Sequence, residues 1–360
     1  MKILTIVGAR PQFVKAAVVS RAFAKSSKLE EIILHTGQHF DKNMSEIFFE
    51  EMEIPKPKYN LNVNGLSHGA MTGEMLKGIE EVCLKERPDY LMVYGDTNST
   101  IAGALAAKKL KIKVVHIEAG LRSFNMNMPE EINRILTDRI SDFLFCPTDT
   151  AVQNLINEGI SVNSGFHVIQ NGDVMQDAAM FYAQKSANCS NVINKYGLSG
   201  IDYALCTIHR QENTDNIERL KEIIDSLNEI QVTQKVVVPL HPRTRKIIKS
   251  NNLKPEFVII EPVGYFDMLE LLKGCNMVLT DSGGLQKEAY FFNKYCITMR
   301  EETEWVELTQ NNFNVLAGAS KDSIIKAYQK FLNKTFVKNI ELYGGGIASD
   351  LICEVMEKFS

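Results

Sequence analysis

Residues 2–15 read KILTIVGARPQFVK, an apolar β-branched run followed by a glycine turn and the start of an amphipathic stretch. The run Ile3–Val7 is typical of a buried parallel strand, and Phe13–Ala24 has the apolar spacing of a helix. A strand that leads through a tight turn into a helix is the opening of a βαβ unit. These residues therefore predict an α/β fold in which parallel strands alternate with helices.

The same alternation continues along the whole chain. Further strands are predicted at Ile32–Thr36, Tyr90–Tyr94, Val114–Glu118, Phe143–Cys146, Tyr203–Thr207, Lys235–Leu240, Phe257–Ile260, Met277–Thr280 and Tyr295–Thr298. Helices are predicted at Thr100–Leu110, Glu130–Ser141, Asn216–Glu229, Arg243–Ser250, Met268–Lys273, Leu285–Phe292 and Ile347–Phe359. We expect two Rossmann-like, doubly wound domains, residues 1–175 and 176–346, with the ligand between them at the strand ends.

Composition narrows the classes of protein to which the chain can belong. Its 360 residues favour two domains, and its net charge of −4 argues against nucleic acid or an anionic membrane as a partner. The seven cysteines are scattered without a C-x-x-C pair, so we predict reduced core thiols and no metal site. The first apolar run is too short for a signal peptide, and no run is long enough to span a bilayer. We therefore expect a cytoplasmic protein.

The first polar cluster is the turn GARPQFVK that follows the opening strand. A glycine turn at a helix start presents backbone N–H groups to an anion, and Arg10 and Lys15 add positive charge. The turn is not G-x-G-x-x-G, so a dinucleotide site is poorly supported. A plain strand-to-helix turn with solvated basic residues explains the pattern equally well.

Candidate acid–base residues follow other predicted strands. Asp96 in YGDTNST suits a helix N-cap when it is considered alone, and Glu130 at a helix opening suits the helix dipole. Glu118 ends an apolar strand, where burial would raise the pKa of its carboxyl group and suit it to proton transfer. His209 lies beside Arg210 at a strand end of the second half, although a lone histidine is more often structural.

The segment TDSGGLQKE, residues 280–288, predicts a pyrophosphate cradle. Small residues at Ser282, Gly283 and Gly284 permit close approach, and the following helix supplies unpaired N–H donors. Glu288 lies one turn further on, where it could accept hydrogen bonds from ribose hydroxyls. A glycine turn without a ligand is the alternative. Two anion sites and several acid–base candidates together indicate an enzyme that acts on a nucleotide sugar.

Five segments carry a resemblance to a known family: GARPQFVK, YGDTNST, HIEAGLRS with MPEEINR, HRQEN and TDSGGLQKEA. In order and spacing they resemble the UDP-N-acetylglucosamine 2-epimerase family, from Ile3 to the final YGGGIAS segment. The resemblance implies the GT-B architecture, with the last helix, residues 347–360, joined to the first domain. It also implies an active site in the interdomain cleft, a UDP-sugar substrate, no cofactor and a homodimer.

The resemblance further implies a reaction without nicotinamide or metal. The C2 hydrogen is removed and UDP leaves C1, which gives a 2-acetamidoglucal; UDP then adds back while C2 is protonated on the opposite face. The family's functional carboxylates match Asp96, Glu118 and Glu130, and its histidine matches His209. The residues expected to bind substrate are Arg10, Lys15, Gln38, Arg134, Arg210, His241, Ser282, Gly283, Gly284 and Glu288.

Two segments depart from the commonest family pattern and resemble a subgroup that acts on UDP-2,3-diacetamido-2,3-dideoxyglucuronate. They are SFNMNMPEEINR and REETEWVE. Some members of the family are activated allosterically by their own substrate. Gln38–Asp41 and Gln211 match the sequence pattern of those members only in part. Three alternatives share the motifs: a GT-B glycosyltransferase, a hydrolysing 2-epimerase that releases N-acetylmannosamine, and a non-catalytic nucleotide-sugar sensor.

Overall fold

The computed structural model describes residues 1–38, 53 and 56–360, which form two compact units. Unit 1 comprises Met1–Ala178 and Glu341–Ser360, and unit 2 comprises Ala179–Ile340. The first unit boundary lies between residues 178 and 179, where the sequence predicted 175 and 176. The second lies between residues 340 and 341, where the sequence predicted 346 and 347. Residues 39–41, which the sequence singled out beside Gln38, lie outside the described residues.

Unit 1 is built on a parallel sheet. Its strands are β1 (Lys2–Val7), β2 (Glu30–His35), β3 (Tyr59–Asn60), β4 (Tyr90–Tyr94), β5 (Lys113–Ile117), β6 (Phe143–Cys146) and β7 (His167–Gln170). They lie in the order β3-β2-β1-β4-β5-β6-β7, and every described pair is parallel. The order reverses between β1 and β4, which is where doubly wound sheets bind ligands.

The described helices of unit 1 cover this sheet. They are α1 (Arg10–Ala24), α2 (His68–Glu86), α3 (Asn98–Lys109), α4 (Pro129–Ile140), α5 (Asp149–Asn157), the first turn of α6 (Val174–Cys189), which continues into unit 2, and α15 (Ala348–Lys358). The sequence of α3 is rich in alanine, and small side chains let it pack against β1 and β4. Strands with both faces covered read as continuous apolar runs, which is why the sequence revealed them.

Unit 2 repeats the architecture. Its strands are β8 (Tyr203–Thr207), β9 (Lys235–Pro239), β10 (Val258–Ile260), β11 (Met277–Thr280), β12 (Tyr295–Thr298) and β13 (Asn314–Leu316), in the order β10-β9-β8-β11-β12-β13. The described helices after α6 are α7 (Val192–Lys195), α8 (Gln211–Thr214), α9 (Ile217–Gln231), α10 (Pro242–Ser250), α11 (Tyr265–Gly274), α12 (Gly283–Phe291), α13 (Val306–Gln310) and α14 (Lys321–Phe331). The order again reverses, here between β8 and β11. The predicted α/β fold with two doubly wound sheets is confirmed.

Asp177 joins the final helix to the rest of unit 1. Its carboxylate accepts hydrogen bonds from the backbone N–H groups of Ala348 (3.1 Å) and Ser349 (2.7 Å) and from the Ser349 hydroxyl (2.6 Å). Further along α15, the Cys353 thiol donates to the Ala22 carbonyl of α1 at 3.6 Å. Asp177 thus satisfies the free N–H groups at the start of this helix. No helix in the described ranges is both long and apolar enough to cross a membrane.

Candidate active site

The candidate site of unit 1 lies at the carboxyl ends of β1, β4 and β5, which are neighbours in the sheet. Lys15 comes from the helix after β1, Asp96 from the turn after β4, and Glu118 from the first position after β5. Because adjacent parallel strands end at the same edge, three residues far apart in sequence meet there.

Lys15 and Glu118 form a buried ion pair, in which each side chain is only 9% exposed. Gly95 lies against this pair, because a Cβ atom there would come within 3.3 Å of a Glu118 oxygen and 3.4 Å of the Lys15 nitrogen. Glu118 itself has a φ of +68°, a left-handed conformation that L side chains rarely adopt. Strain of this kind concentrates at functional sites, where the surrounding fold enforces it.

Asp96 forms an ion pair with Arg134 of α4, and Arg134 also lies 3.2 Å from Glu131. Burial raises the pKa of the Asp96 carboxyl above its usual value; the charge of Glu118 adds to this rise, and Arg134 opposes it. Asp96 is not the cap of the following helix, because the Thr97 hydroxyl accepts the Thr100 N–H in that role. A raised pKa brings this carboxyl closer to the range in which it can both take up and release a proton.

The two acidic residues that open α4 have different environments. Glu131 is fully buried and accepts hydrogen bonds from the backbone of Ser123 and Phe124 and from the Ser123 hydroxyl. Glu130 is exposed, and it has no hydrogen-bond or ion-pair partner among the described residues. Glu131 therefore holds the preceding loop, whereas Glu130 can reach a ligand.

The glycine turn after β1 differs from the anion site that its sequence predicted. The Gln12 side chain accepts the N–H groups of Gly8 (2.8 Å) and Ala9 (3.0 Å) and donates to the Tyr94 carbonyl (2.8 Å). These N–H groups are therefore already bonded, and the expectation that they bind an anion is corrected. The sequence pattern could not show this, because the partner is a side chain of the same turn. Arg10 begins α1, but its side chain lies outside the described part of the structure.

Gln38, a predicted substrate ligand, follows β2 and contacts the first turn of α3. Its side-chain oxygen accepts the N–H (3.2 Å) and the hydroxyl (2.7 Å) of Ser99. In the structure Gln38 thus accepts a hydrogen bond from an N–H group at the N-terminus of α3.

In unit 2, His209 follows β8 and Asp281 follows the adjacent strand β11. The Nδ1 atom of His209 lies 2.9 Å from the Asp281 carboxylate, which also accepts the backbone N–H groups of His209 and Arg210. Burial opposes ionisation of Asp281, but the hydrogen bond and charge of His209 outweigh it and lower the pKa of this carboxyl. Since the His209 side chain is 55% exposed, Nδ1 is fixed by Asp281 while Nε2 remains accessible.

The predicted cradle follows β11 as the N-terminus of α12. The Ser282 hydroxyl accepts the Leu285 N–H at 3.4 Å and so caps the helix. Gly284 is exposed, and a Cβ atom on it would meet nothing within 4 Å. The space beside Gly284 is thus open, which an anion site at a helix N-terminus requires, whereas a Cβ atom on Gly283 would lie 3.7 Å from a Glu304 oxygen.

Trp305 contacts the backbone of this cradle. Its indole N–H donates to the Gly283 carbonyl at 3.0 Å, and the ammonium of Lys287 lies 3.9 Å from the centre of one of its rings. Both side chains are buried, so Lys287 contributes positive charge close to the turn. Glu288, the predicted ribose ligand, lies in the second turn of α12 and is buried.

The other predicted ligands of unit 2 have separate contacts. Arg210 lies 3.8 Å from Glu304, whose main partner is the buried Arg300 at 3.0 Å. His241 is exposed and caps α10, where its Nδ1 accepts the Arg243 N–H at 3.3 Å. His241 follows β9, a neighbour of β8, and therefore lies at the same edge of the sheet as His209.

Sequence reasoning did not single out Asp281 or Trp305. Asp281 had a usable signal, since it is a carboxylate directly after a buried strand, as Asp96 nearly is. Trp305 had none, because its contact with Gly283 joins segments that are adjacent only in the fold. In the described part of the chain, no group of three His, Cys, Asp or Glu residues is arranged to hold a metal ion.

Comparisons with known proteins place these residues in context. A family model described as UDP-N-acetylglucosamine 2-epimerase matches residues 21–357. The chain is 56% identical to UDP-2,3-diacetamido-2,3-dideoxy-D-glucuronate 2-epimerase of Pseudomonas aeruginosa, over 99% of this chain and all of that one. It is 47% identical to UDP-N-acetylglucosamine 2-epimerase of Methanocaldococcus jannaschii, over 93% of each. A crystal structure of UDP-GlcNAc 2-epimerase from the same archaeon, in complex with UDP-GlcNAc and UDP, aligns with a TM-score of 0.88 at 44% identity over 99% of this chain and all of that one.

Proposed function

The chain belongs to the UDP-N-acetylglucosamine 2-epimerase family, and from that premise we propose that it inverts C2 of a UDP-linked 2-acetamido sugar without hydrolysis. The observation that carries the choice of sugar is the identity of 56% to the diacetamido-glucuronate enzyme, against 47% to the UDP-N-acetylglucosamine enzyme. The substrate that we propose is therefore UDP-2,3-diacetamido-2,3-dideoxy-D-glucuronate. UDP-N-acetylglucosamine is the second candidate.

The proposed reaction is an elimination followed by an addition. One carboxylate removes the proton from C2, the bond between C1 and the β-phosphate oxygen breaks, and UDP leaves with the bonding electrons. The product is a 2-acetamidoglucal. UDP then adds back to C1 while an acid on the opposite face delivers a proton to C2, so that no atom is gained or lost overall.

Unit 1 supplies the proton-transfer groups in this proposal. Asp96, whose pKa is raised by burial, and Glu118, held by Lys15, act on C2 from its two faces. Glu130, an exposed carboxylate in the first turn of the helix that carries Arg134, supports the sugar. Arg134 orients Asp96 through their ion pair.

Unit 2 supplies the leaving-group site in this proposal. The N–H groups at the start of α12 receive the diphosphate, whose negative charge grows as C1–O cleavage proceeds. The exposed Nε2 of His209, when it carries a proton, donates to the same phosphate, and Asp281 holds the ring through Nδ1.

The decisive experiment incubates a panel of UDP-sugars with the enzyme in deuterium oxide, without an acceptor. Deuterium at C2 of a product that is still linked to UDP, detected by proton NMR and mass spectrometry, is the expected result. Release of the free 2-epimer would favour the hydrolysing enzyme. Absence of exchange for every sugar would refute epimerisation and leave a transferase or a sensor.

Asp96→Asn is the matched control, because the amide keeps the shape but cannot accept the C2 proton. We expect C2 exchange to fall by about 10²–10⁴-fold while UDP affinity, a property of unit 2, is kept. Turnover at the wild-type rate would contradict the role given to Asp96.

We also propose that the enzyme is a cytoplasmic homodimer whose product serves the synthesis of a bacterial surface polysaccharide. On unit 1, helices α2 and α4 line a cavity of about 570 Å³. Ile132 of α4 lines this cavity and is 40% exposed, and Leu136, one turn further along the same helix, is 50% exposed. Apolar surface of this kind supports a protein interface.

A further inference from the structure

His116 is a fully buried histidine in β5 that the proposed reaction does not use. Its Nε2 atom lies 2.7 Å from the Gly95 carbonyl oxygen, and its Nδ1 atom lies 2.7 Å from a carboxylate oxygen of Asp138. Both ring nitrogens thus face oxygen atoms within hydrogen-bond distance.

The nature of these oxygen atoms fixes the number of protons on the ring. A carbonyl oxygen only accepts, so Nε2 must donate to Gly95. Asp138 also accepts the Gly120 N–H (3.1 Å) and an Arg122 N–H (2.7 Å). The guanidinium of Arg122, 2.7 Å from this carboxylate and buried with it, forms an ion pair that keeps Asp138 ionised, so Asp138 only accepts. Nδ1 must therefore donate as well.

A neutral imidazole carries one N–H, whereas this ring needs two. We propose that His116 donates from both ring nitrogens, as an imidazolium, and is the residue that positions the acid–base groups of unit 1. This inference rests on the proposed function for what is positioned, but the charge itself does not depend on it.

The surrounding charges allow a buried imidazolium. Arg122 and His116 carry two positive charges, and Asp138 and Glu158 carry two negative ones; Arg122 binds Glu158 at 2.6 and 2.8 Å. Cys146 of β6 also faces Asp138, but burial raises the pKa of its thiol, which stays neutral. Buried charges persist only when they are paired and hydrogen-bonded, as these are.

His116 joins three elements that carry the proposed acids. The Gly95 peptide directly precedes Asp96, and Glu118 lies two residues after His116 on the same strand end. Asp138 lies one turn from Arg134 on α4, and Arg134 is the partner of Asp96. The two hydrogen bonds of the imidazolium therefore fix the spacing between Asp96 and Glu118, which must address opposite faces of one carbon atom.

The first test reads the charge directly. Nitrogen-15 NMR of the histidine-labelled protein, with His116 assigned by its absence in His116→Gln, should show both ring nitrogens protonated and unchanged between pH 6 and 9. A neutral tautomer, with one protonated and one bare nitrogen, would overturn the proposal. Because the protonation state is read from the wild-type spectrum, the result does not depend on turnover, and a folded His116→Gln is needed only for the assignment.

The second test reads the positioning role. His116→Gln retains an N–H donor for Gly95 but no charge, and we expect kcat for C2 exchange to fall about 10²-fold with little change in KM. His167→Gln, in an exposed position of β7, should keep the wild-type kcat. Wild-type kcat in a folded His116→Gln would overturn the role. If the wild-type protein exchanges no C2 proton at all, the proposed function fails instead, while the charge measured by NMR stands.

Discussion

At the scale of single residues, the pKa of the Asp96 carboxyl is set by opposing effects. Burial and the negative charge of Glu118 raise the pKa of its carboxyl, and the guanidinium of Arg134 lowers it. The Arg134 side chain is 6% exposed and the Asp96 side chain 29% exposed, so solvent screens this ion pair only in part. The protonation of Asp96 therefore depends on Arg134, which can be substituted without altering Asp96 itself.

Arg134→Gln removes the charge that favours the ionised form of Asp96. The pKa of Asp96 should rise further, so the acid limb of the pH profile of kcat/KM should move to higher pH. Arg134→Lys keeps the charge and should move it less. An acid limb that is identical in the wild type and in an active Arg134→Gln would show that Asp96 does not govern it.

Residue by residue, the sequence identified the acids better than it identified their partners. Glu118 ends a predicted strand, and Asp96 and His209 each lie one residue beyond one, so their location at a sheet edge followed from the pattern. The pairings of Lys15 with Glu118 and of His209 with Asp281 join segments 103 and 72 residues apart. Such contacts depend on strand order, which periodicity does not reveal.

At the scale of elements, the N-terminus of α12 is the predicted diphosphate site, and it can be blocked. Ser282→Trp places an indole over the free N–H groups, so we expect calorimetry to detect no UDP binding. Ser282→Ala is the control: it loses only the cap, worth about 1 kcal/mol of stability, and should still bind UDP. Wild-type affinity in a folded Ser282→Trp would remove this helix end from the proposed UDP site.

The capping of α15 by Asp177 makes a prediction about stability. Asp177→Ala leaves the N–H groups of Ala348 and Ser349 without their acceptor. We expect a loss of about 1–2 kcal/mol in the free energy of unfolding, measured in urea. Glu354→Ala, at an exposed position of the same helix, should stay within about 0.5 kcal/mol of the wild type. Equal effects from the two variants would argue against the cap.

The strands and helices that were predicted agree with the structure to within two or three residues. The strands were found because buried parallel strands form continuous apolar runs. The three missed strands, Tyr59–Asn60, His167–Gln170 and Asn314–Leu316, are at sheet edges and are short. An edge strand has one neighbour and a partly exposed face, so its sequence lacks the apolar run. The missed strands thus share one physical cause, but this cause does not extend to helices that were also not predicted, such as His68–Glu86 and Lys321–Phe331.

At the scale of the whole molecule, the apolar surface on α4 predicts how the chain assembles. Ile132→Glu with Leu136→Glu should convert a dimer into a monomer, measured by light scattering coupled to size exclusion, because the interface would then bury unpaired charges. Leu84→Glu, on an exposed position of α2, shows whether any added charge has this effect. A wild type that is monomeric at micromolar concentration would refute the proposed homodimer.

Trp305 has a consequence for the study of this enzyme. It is the sole tryptophan of the chain, and it touches the backbone of Gly283 at the proposed diphosphate site. Its fluorescence emission should therefore change when UDP binds, and this emission should be absent in Trp305→Phe. An unaltered spectrum at saturating UDP would show that UDP does not bind near Trp305. With that optical signal, nucleotide arrival and departure can be timed in a stopped-flow instrument without attaching a dye.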